Sequence, residues 1–130
     1  MSSELALGEL AQVSILCRSA SATEAWYRDV LRLQHIFTFG ALVFFDMHGI
    51  RLYFREVPDK EFRPSSILYF AVDDINVATD LLKGRGVKFQ GAPHMIYKDD
   101  STGIEEWFSF FEDPDGNVLA LLARVGPAAA

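Results

Sequence analysis

The residues able to do acid–base or metal chemistry are few and widely separated. The three histidines, His35, His48 and His94, have neither the HxH nor the HExxH spacing of paired metal ligands. Glu105 and Glu106 are adjacent, so on a strand their carboxylates would point to opposite faces and could not act as a pair. The sequence contains no glycine-rich phosphate loop and no GxSxG nucleophile motif. Glu106 is one candidate for a general base.

Composition narrows the possible partners. The 130 residues carry 12 basic and 18 acidic side chains, a net charge of −6, which disfavours binding to nucleic acid or to a membrane surface. No apolar stretch approaches the roughly 20 residues of a membrane span. The first ten residues hold two glutamates and no basic cluster, so no secretory signal is expected. The single cysteine, Cys17, is predicted to be a buried thiol, and a cytoplasmic location is expected.

Hydrophobic patterning predicts two similar series of strands and helices. Ser21 and Glu24 have capping-box spacing, so a first helix is expected to start near Ala22. Asp74 is expected to cap a second helix, and Asp113-Pro-Asp-Gly is a strong turn signal. The predicted strands are residues 11–17, 36–39, 41–46, 50–57, 67–72, 95–97, 106–111 and 118–123, with a short one opening at Phe89.

The order of these elements is βαβββ, a linker, then βαβββ again. Gln12 and Ile67 hold equivalent positions 55 residues apart, and Trp26 and Leu81 match at the same offset. One such module cannot bury both faces of its sheet, so two are expected to pair, with helices outside and a cavity inside. The prediction is one α+β domain over residues 1–130, with module one at about 10–57, a linker at 58–65 and module two at about 66–123.

Four sequence segments carry a resemblance to a known family. They are QVSI at 12–15 with the following helix, GIRLYF at 49–54, ILYFAVDDI at 67–75 running into LKGRGV at 82–87, and FEDPDGNVL at 111–119. Together they resemble the vicinal-oxygen-chelate superfamily, which contains glyoxalase I, extradiol dioxygenases and the bleomycin-resistance binding proteins. The resemblance implies two paired βαβββ modules that form an open, barrel-like cleft.

The resemblance also implies a position for a metal, with one ligand from each of four strands. Carried over by position, those ligands fall on Gln12, Tyr53, Ile67 and Ala120. Isoleucine and alanine have no donor atoms, and a tyrosine with a pKa of about 10 is a costly ligand. A divalent ion needs several converging nitrogen or oxygen ligands. No metal and no other cofactor is therefore expected at this position.

Strand alternation around those positions predicts the cavity lining. Arg51, Tyr53 and Arg55 share one face of their strand, while the opposite parity is apolar and should pack on the helices. For residues 106–111 the chosen parity is Trp107, Ser109 and Phe111. The predicted ligand-binding residues are Gln12, Ser14, Arg51, Tyr53, Arg55, Ile67, Tyr69, Trp107 and Ala120.

These features favour a metal-free protein that binds a planar or amphipathic organic molecule, similar to the bleomycin-resistance group. An aromatic lining suits stacking, with Gln12 and one arginine fixing orientation. One alternative is a lyase, isomerase or oxygenase using an atypical metal site at Glu106, His94 or Gln12, or Glu106 as a base. Another is an interaction module whose cavity is filled by side chains. The resemblance further implies a homodimer; whether the cleft would lie within one chain or between two stays open.

Overall fold

The computed structural model describes residues 5–126. The first four residues of the segment predicted to contain no signal therefore lie outside the described part. The chain divides into two compact units, one ending at Phe62 and the other starting at Arg63, and this boundary lies inside the predicted linker. Each unit holds a four-stranded sheet, and the predicted α+β class is confirmed. No helix among residues 5–126 is long and apolar enough to cross a membrane.

The first unit follows the predicted βαβββ order. Its sheet has the strand order β1-β4-β3-β2, with β1 parallel to β4 and the other pairs antiparallel. Its elements are β1 (Gln12–Cys17), α1 (Ala20–Ala25), a π-helical turn (Trp26–Val30), β2 (Gln34–Phe39), β3 (Leu42–Met47), β4 (Ile50–Glu56) and a 3-10 turn (Asp59–Glu61).

The helix α1 begins at Ala20, two residues before the predicted start near Ala22. Ser19, not Ser21, is the N-cap, and its hydroxyl accepts from the backbone N–H of Ala22 at 3.2 Å. The carboxylate of Glu56 accepts from Ala20 N–H at 2.7 Å, so a residue distant in sequence satisfies a second free donor of the helix start. The expected capping-box partner, Glu24, instead bonds Thr38 and Arg28.

One face of the first sheet packs on its own helix. Tyr27, fully buried, places its ring 4.4 Å from that of Phe54 and 5.9 Å from that of Phe45. Burial of such rings is the main source of stability for a unit this small. We call this side the helix face and the opposite side the distal face. The other buried strand residues of the helix face are Ile15, Cys17, Val43 and Leu52.

The second unit repeats the arrangement. Its sheet has the order β5-β8-β7-β6, with β5 parallel to β8 and the other pairs antiparallel. Its elements are β5 (Leu68–Ala71), α2 (Ile75–Gly84), β6 (His94–Lys98), β7 (Glu105–Glu112) and β8 (Val118–Val125). Ile67 lies just before β5, and Phe89 forms only an isolated bridge to Phe111 where a strand was predicted.

Two local signals in this unit act as predicted. Asp74 caps α2 by accepting from the backbone N–H groups of Asn76 and Val77 at 3.0 and 3.1 Å. The Asp113–Gly116 turn closes with a hydrogen bond from Gly116 N–H to the carbonyl of Asp113, and Gly116 has φ +89°. Asn117, fully buried after this turn, donates to Asp113 Oδ2 and accepts from Ser65 N–H.

Candidate ligand-binding site

The distal face of the first sheet brings together the residues predicted for the first module. β1 and β4 pair in register, so Gln12 lies opposite Arg51, Ser14 opposite Tyr53, and Leu16 opposite Arg55. These six residues share one face because side chains two apart on a strand point the same way. Their alternation was predicted correctly; whether they bind a ligand stays a prediction.

Three aromatic rings cross the middle of this distal face. Phe44 of β3 stacks on Tyr53 of β4 with ring centroids 5.0 Å apart and an interplanar angle of 27°. Phe37 of β2 stacks on the other side of Phe44 at 4.5 Å and 25°. Phe44 is 9% exposed and Phe37 44%, so the stack has a buried centre and an accessible edge. We call Phe37, Phe44 and Tyr53 the aromatic stack.

Phe37 and Phe44 were missed by the sequence analysis, although a signal for Phe44 exists. The tight turn at His48 and Gly49, both with positive φ, pairs Met47 with Ile50. That pairing fixes the register of β3 against β4 and puts Phe44 opposite Tyr53. The face of Phe37 could not be predicted from the sequence, because a bulge between His35 and Phe37 shifts the register of β2.

An arginine held in a defined position borders the aromatic stack. Arg51 donates from Nε to Oε1 of Gln12 at 3.1 Å, and its guanidinium carbon lies 5.1 Å from the centroid of Phe44. The terminal nitrogens of this side chain make no ion pair with residues 5–126. An arginine fixed through Nε presents two remaining N–H₂ groups as a flat fork of donors.

In the second sheet the helix face is the side that packs on α2, and the opposite side, its distal face, is also aromatic. Tyr69 of β5 lies 5.0 Å from Phe108 and 6.2 Å from Phe110, measured between ring centroids. His94 of β6 adds a ring 6.0 Å from Phe110. Ala120 is fully buried opposite Tyr69, between β5 and β7 in the sheet. Tyr69 and Ala120 are therefore on the face predicted for them.

The predicted parity of β7 is wrong. Trp107 pairs with Ala123, on the helix face of the second sheet, and donates from Nε1 to Oε1 of Glu105 at 2.9 Å. Ser109 is fully buried on the same face and accepts a hydrogen bond from the hydroxyl of Thr79 on α2. Phe111 is fully buried there as well. A run that is half-buried on both faces gives no clean alternation, so the sequence could not decide this parity.

Because of that parity, Trp107 lies in different surroundings from those predicted. It lines a hollow of about 330 Å³ beside the start of α2, together with Asp73, Asp74, Ile75, Asn76, Glu105 and Val125. Phe108 and Phe110 take the places on the distal face that Trp107 and Ser109 were expected to hold. Glu106 also lies on the distal face and pairs with Nε of Arg124 at 3.2 Å.

The sequence model of the Glyoxalase/Bleomycin resistance protein/Dioxygenase superfamily matches residues 9–121. The chain belongs to this superfamily. A search of curated protein sequences gives no match.

Several solved structures share the fold of this superfamily member. An integron cassette protein from V. cholerae is 16% identical, with a TM-score of 0.72 over 92% of this chain and 98% of that one. A virulence protein from Salmonella typhimurium is 19% identical, with a TM-score of 0.71 over 93% and 100%. A lactoylglutathione lyase from Agrobacterium tumefaciens is 17% identical, with a TM-score of 0.68 over 91% and 95%. At these identities the likeness concerns the fold alone.

The residues at the superfamily's metal-ligand positions do not fit a metal ion. Gln12 already gives its side-chain oxygen to the cationic Arg51, which would repel a divalent cation beside it. Tyr53 stacks on Phe44, and Ile67 and Ala120 have no donor atoms. Among residues 5–126, no group of three or more His, Cys, Asp or Glu side chains converges elsewhere.

The clearest electrostatic perturbations lie away from both distal faces. A hydrogen bond donated by Thr38 holds the pKa of Glu24 below its ordinary value, with further lowering from His35 and Arg28. Hydrogen bonds from Ser101 similarly lower the pKa of Asp99 in the 99–105 loop. These carboxylates are stabilised in the charged form, which suits a structural part better than that of a general base.

Proposed function

We propose that this superfamily member binds a planar organic molecule, without a metal ion, on the distal face of its first sheet. The observation that carries the proposal is the aromatic stack with Arg51 held beside it by Gln12. Gln12, which holds one of the positions carried over as metal ligands, bonds a cationic side chain instead. The residues at the superfamily's metal-ligand positions do not fit a metal ion. This supports ligand binding over metal-dependent chemistry.

Stacking supplies the affinity in this proposal. Phe37, Phe44 and Tyr53 form a row of near-parallel rings, with interplanar angles of 25° and 27°. A flat ligand stacked on Phe37 or on Tyr53 would extend this row. Aromatic pairs of this kind contribute about 0.5–1.5 kcal/mol each beyond the burial of their area. The rings already stacked on Phe44 need little reordering, so less of that contribution is lost on binding.

The test is a titration followed by calorimetry, with flat aromatic compounds of one to three rings, in buffer containing a chelator. Binding that persists in the chelator supports the proposal, and binding that requires an added divalent ion overturns it. Tryptophan emission is a poor probe, because Trp107 lies on the helix face of the second sheet and Trp26 packs beside Tyr27.

Two further proposals concern the assembly and its location. We propose a homodimer, supported by the common assembly of superfamily members of this length and tested by light scattering after size-exclusion chromatography. We propose a cytoplasmic location, supported by a single cysteine, Cys17, that is buried and outside any disulfide. Fractionation of the expressing cells tests it, and recovery outside the cytoplasm would overturn it.

A further inference from the structure

Two arginines of the first distal face make no ion pair, although carboxylates neutralise other arginines of the described chain. Arg18, Arg28 and Arg124 each pair with a carboxylate. Arg51 and Arg55, two residues before and after Tyr53, make no ion pair with any of residues 5–126. Arg32 also makes no ion pair with residues 5–126, so what sets Arg51 apart is its fixed place beside the aromatic stack.

Arg51 even has an acidic neighbour that does not pair with it. Asp46 lies directly opposite Arg51 in the β3–β4 register. The carboxylate of Asp46 instead accepts from the backbone N–H of Gly49, at 3.2 Å, in the hairpin turn. Gln12 approaches Arg51 from the other neighbouring strand with a neutral oxygen, which fixes the side chain without neutralising its charge.

We infer that the ligand of this face is a planar acid, whose ring lies on the aromatic stack and whose anionic group binds the terminal nitrogens of Arg51. This inference rests on the proposed function and names its ligand class. Residues two apart on a strand are separated by about 7 Å, a distance that a ring on Tyr53 with a carboxylate spans. A guanidinium fork binds a carboxylate with two parallel hydrogen bonds, which a carboxamide cannot reproduce.

Gln12 is a positioning residue in this inference. It touches Arg51 and not the ligand's acid group, and it keeps the guanidinium over the Phe44 ring. A glutamate at position 12 would occupy the guanidinium with a resident carboxylate, so Gln12→Glu should lose the preference for acids. Gln12→Ala should weaken acid binding severalfold, because Arg51 would have to be ordered when the ligand binds.

The experiment compares the binding of aromatic acids with that of their amides by calorimetry. The pairs are benzoate and benzamide, naphthoate and naphthamide, and a three-ring aromatic acid and its amide. We expect the acid of a pair to bind at least about tenfold more tightly than the amide. Arg51→Gln should abolish that preference and leave amide binding unchanged. Lys88→Gln, which removes one positive charge from the second unit, controls for the net field of the protein.

The outcomes separate the two proposals. Acid and amide binding equally well would overturn the planar-acid inference and leave the proposed function standing. No binding of either member of any pair would overturn both. An equal loss of acid binding in Arg51→Gln and Lys88→Gln would also overturn the assignment to Arg51, because only the general charge would then matter. A loss confined to Arg55→Gln would move the acid group to the other end of the stack and overturn it as well.

Discussion

Removing the Tyr53 ring separates the contribution of the aromatic stack to ligand binding from its contribution to folding. Leucine at position 53 keeps an apolar side chain in β4 but removes the contact with Phe44 at 5.0 Å. The free energy of unfolding should fall by about 0.5–1.5 kcal/mol, since Tyr53 is half-buried and loses one ring pair. For a chain of this size that corresponds to a fall in Tm of about 2–8 °C.

The loss in binding should be larger than the loss in stability. Truncation of an aromatic residue that a ligand contacts costs about 1–3 kcal/mol, or about 5–150-fold in Kd. Calorimetric titration with naphthoate and urea denaturation of the same preparation give the two quantities. Tyr97→Leu is the matched control, because Tyr97 is 56% exposed on β6 and lies outside the aromatic stack. Lowered stability with unchanged Kd in Tyr53→Leu would refute the stacking account.

Three further predictions concern the framework, and each has its own readout. Thr79→Val removes the hydrogen bond that Thr79 donates to the buried Ser109 hydroxyl, so the free energy of unfolding in urea should fall by about 1–3 kcal/mol. The double variant Thr79→Val with Ser109→Ala should largely restore it, and equal losses in both variants would contradict this. Asn117→Ala removes the hydrogen bonds that its side chain makes with Ser65 N–H and Asp113 Oδ2, so the free energy of unfolding should fall by at least about 2 kcal/mol. A thermal melt of this variant measures the loss, and a melt unchanged from the parent would refute it. The pKa of Glu24 is lowered in the folded state from 4.5, so its stabilising contribution is complete above that value and is lost as pH falls through the folded pKa. Thr38→Val should therefore raise the pKa of Glu24, measured by carboxyl NMR titration, and an unchanged pKa would show that Thr38 is not its main cause.

Element order and face assignment followed from the sequence where local signals were strong. Asp74 capped α2 and the Asp113–Gly116 turn formed as predicted, because both depend on bonds within a few residues. The alternation of Arg51, Tyr53 and Arg55 was readable because the opposite parity of β4 is uniformly apolar.

Long-range contacts explain what the sequence analysis missed. The cap of α1 includes Glu56, whose approach depends on the pairing of β1 with β4. The parity of β7 depends on which residues meet α2, and aromatic residues fill both faces of that strand. The fixed position of Arg51 required Gln12 from a strand 39 residues away, which spacing alone does not predict.

The most direct test of the metal-independent account is the Kd for naphthoate measured by calorimetry in chelator and again with zinc, nickel, manganese or iron added in excess of the chelator. The account predicts the same Kd in every condition, since Arg51 and the aromatic stack supply the contacts. Binding that appears only with an added metal ion, or that tightens by more than about tenfold with it, would contradict the account.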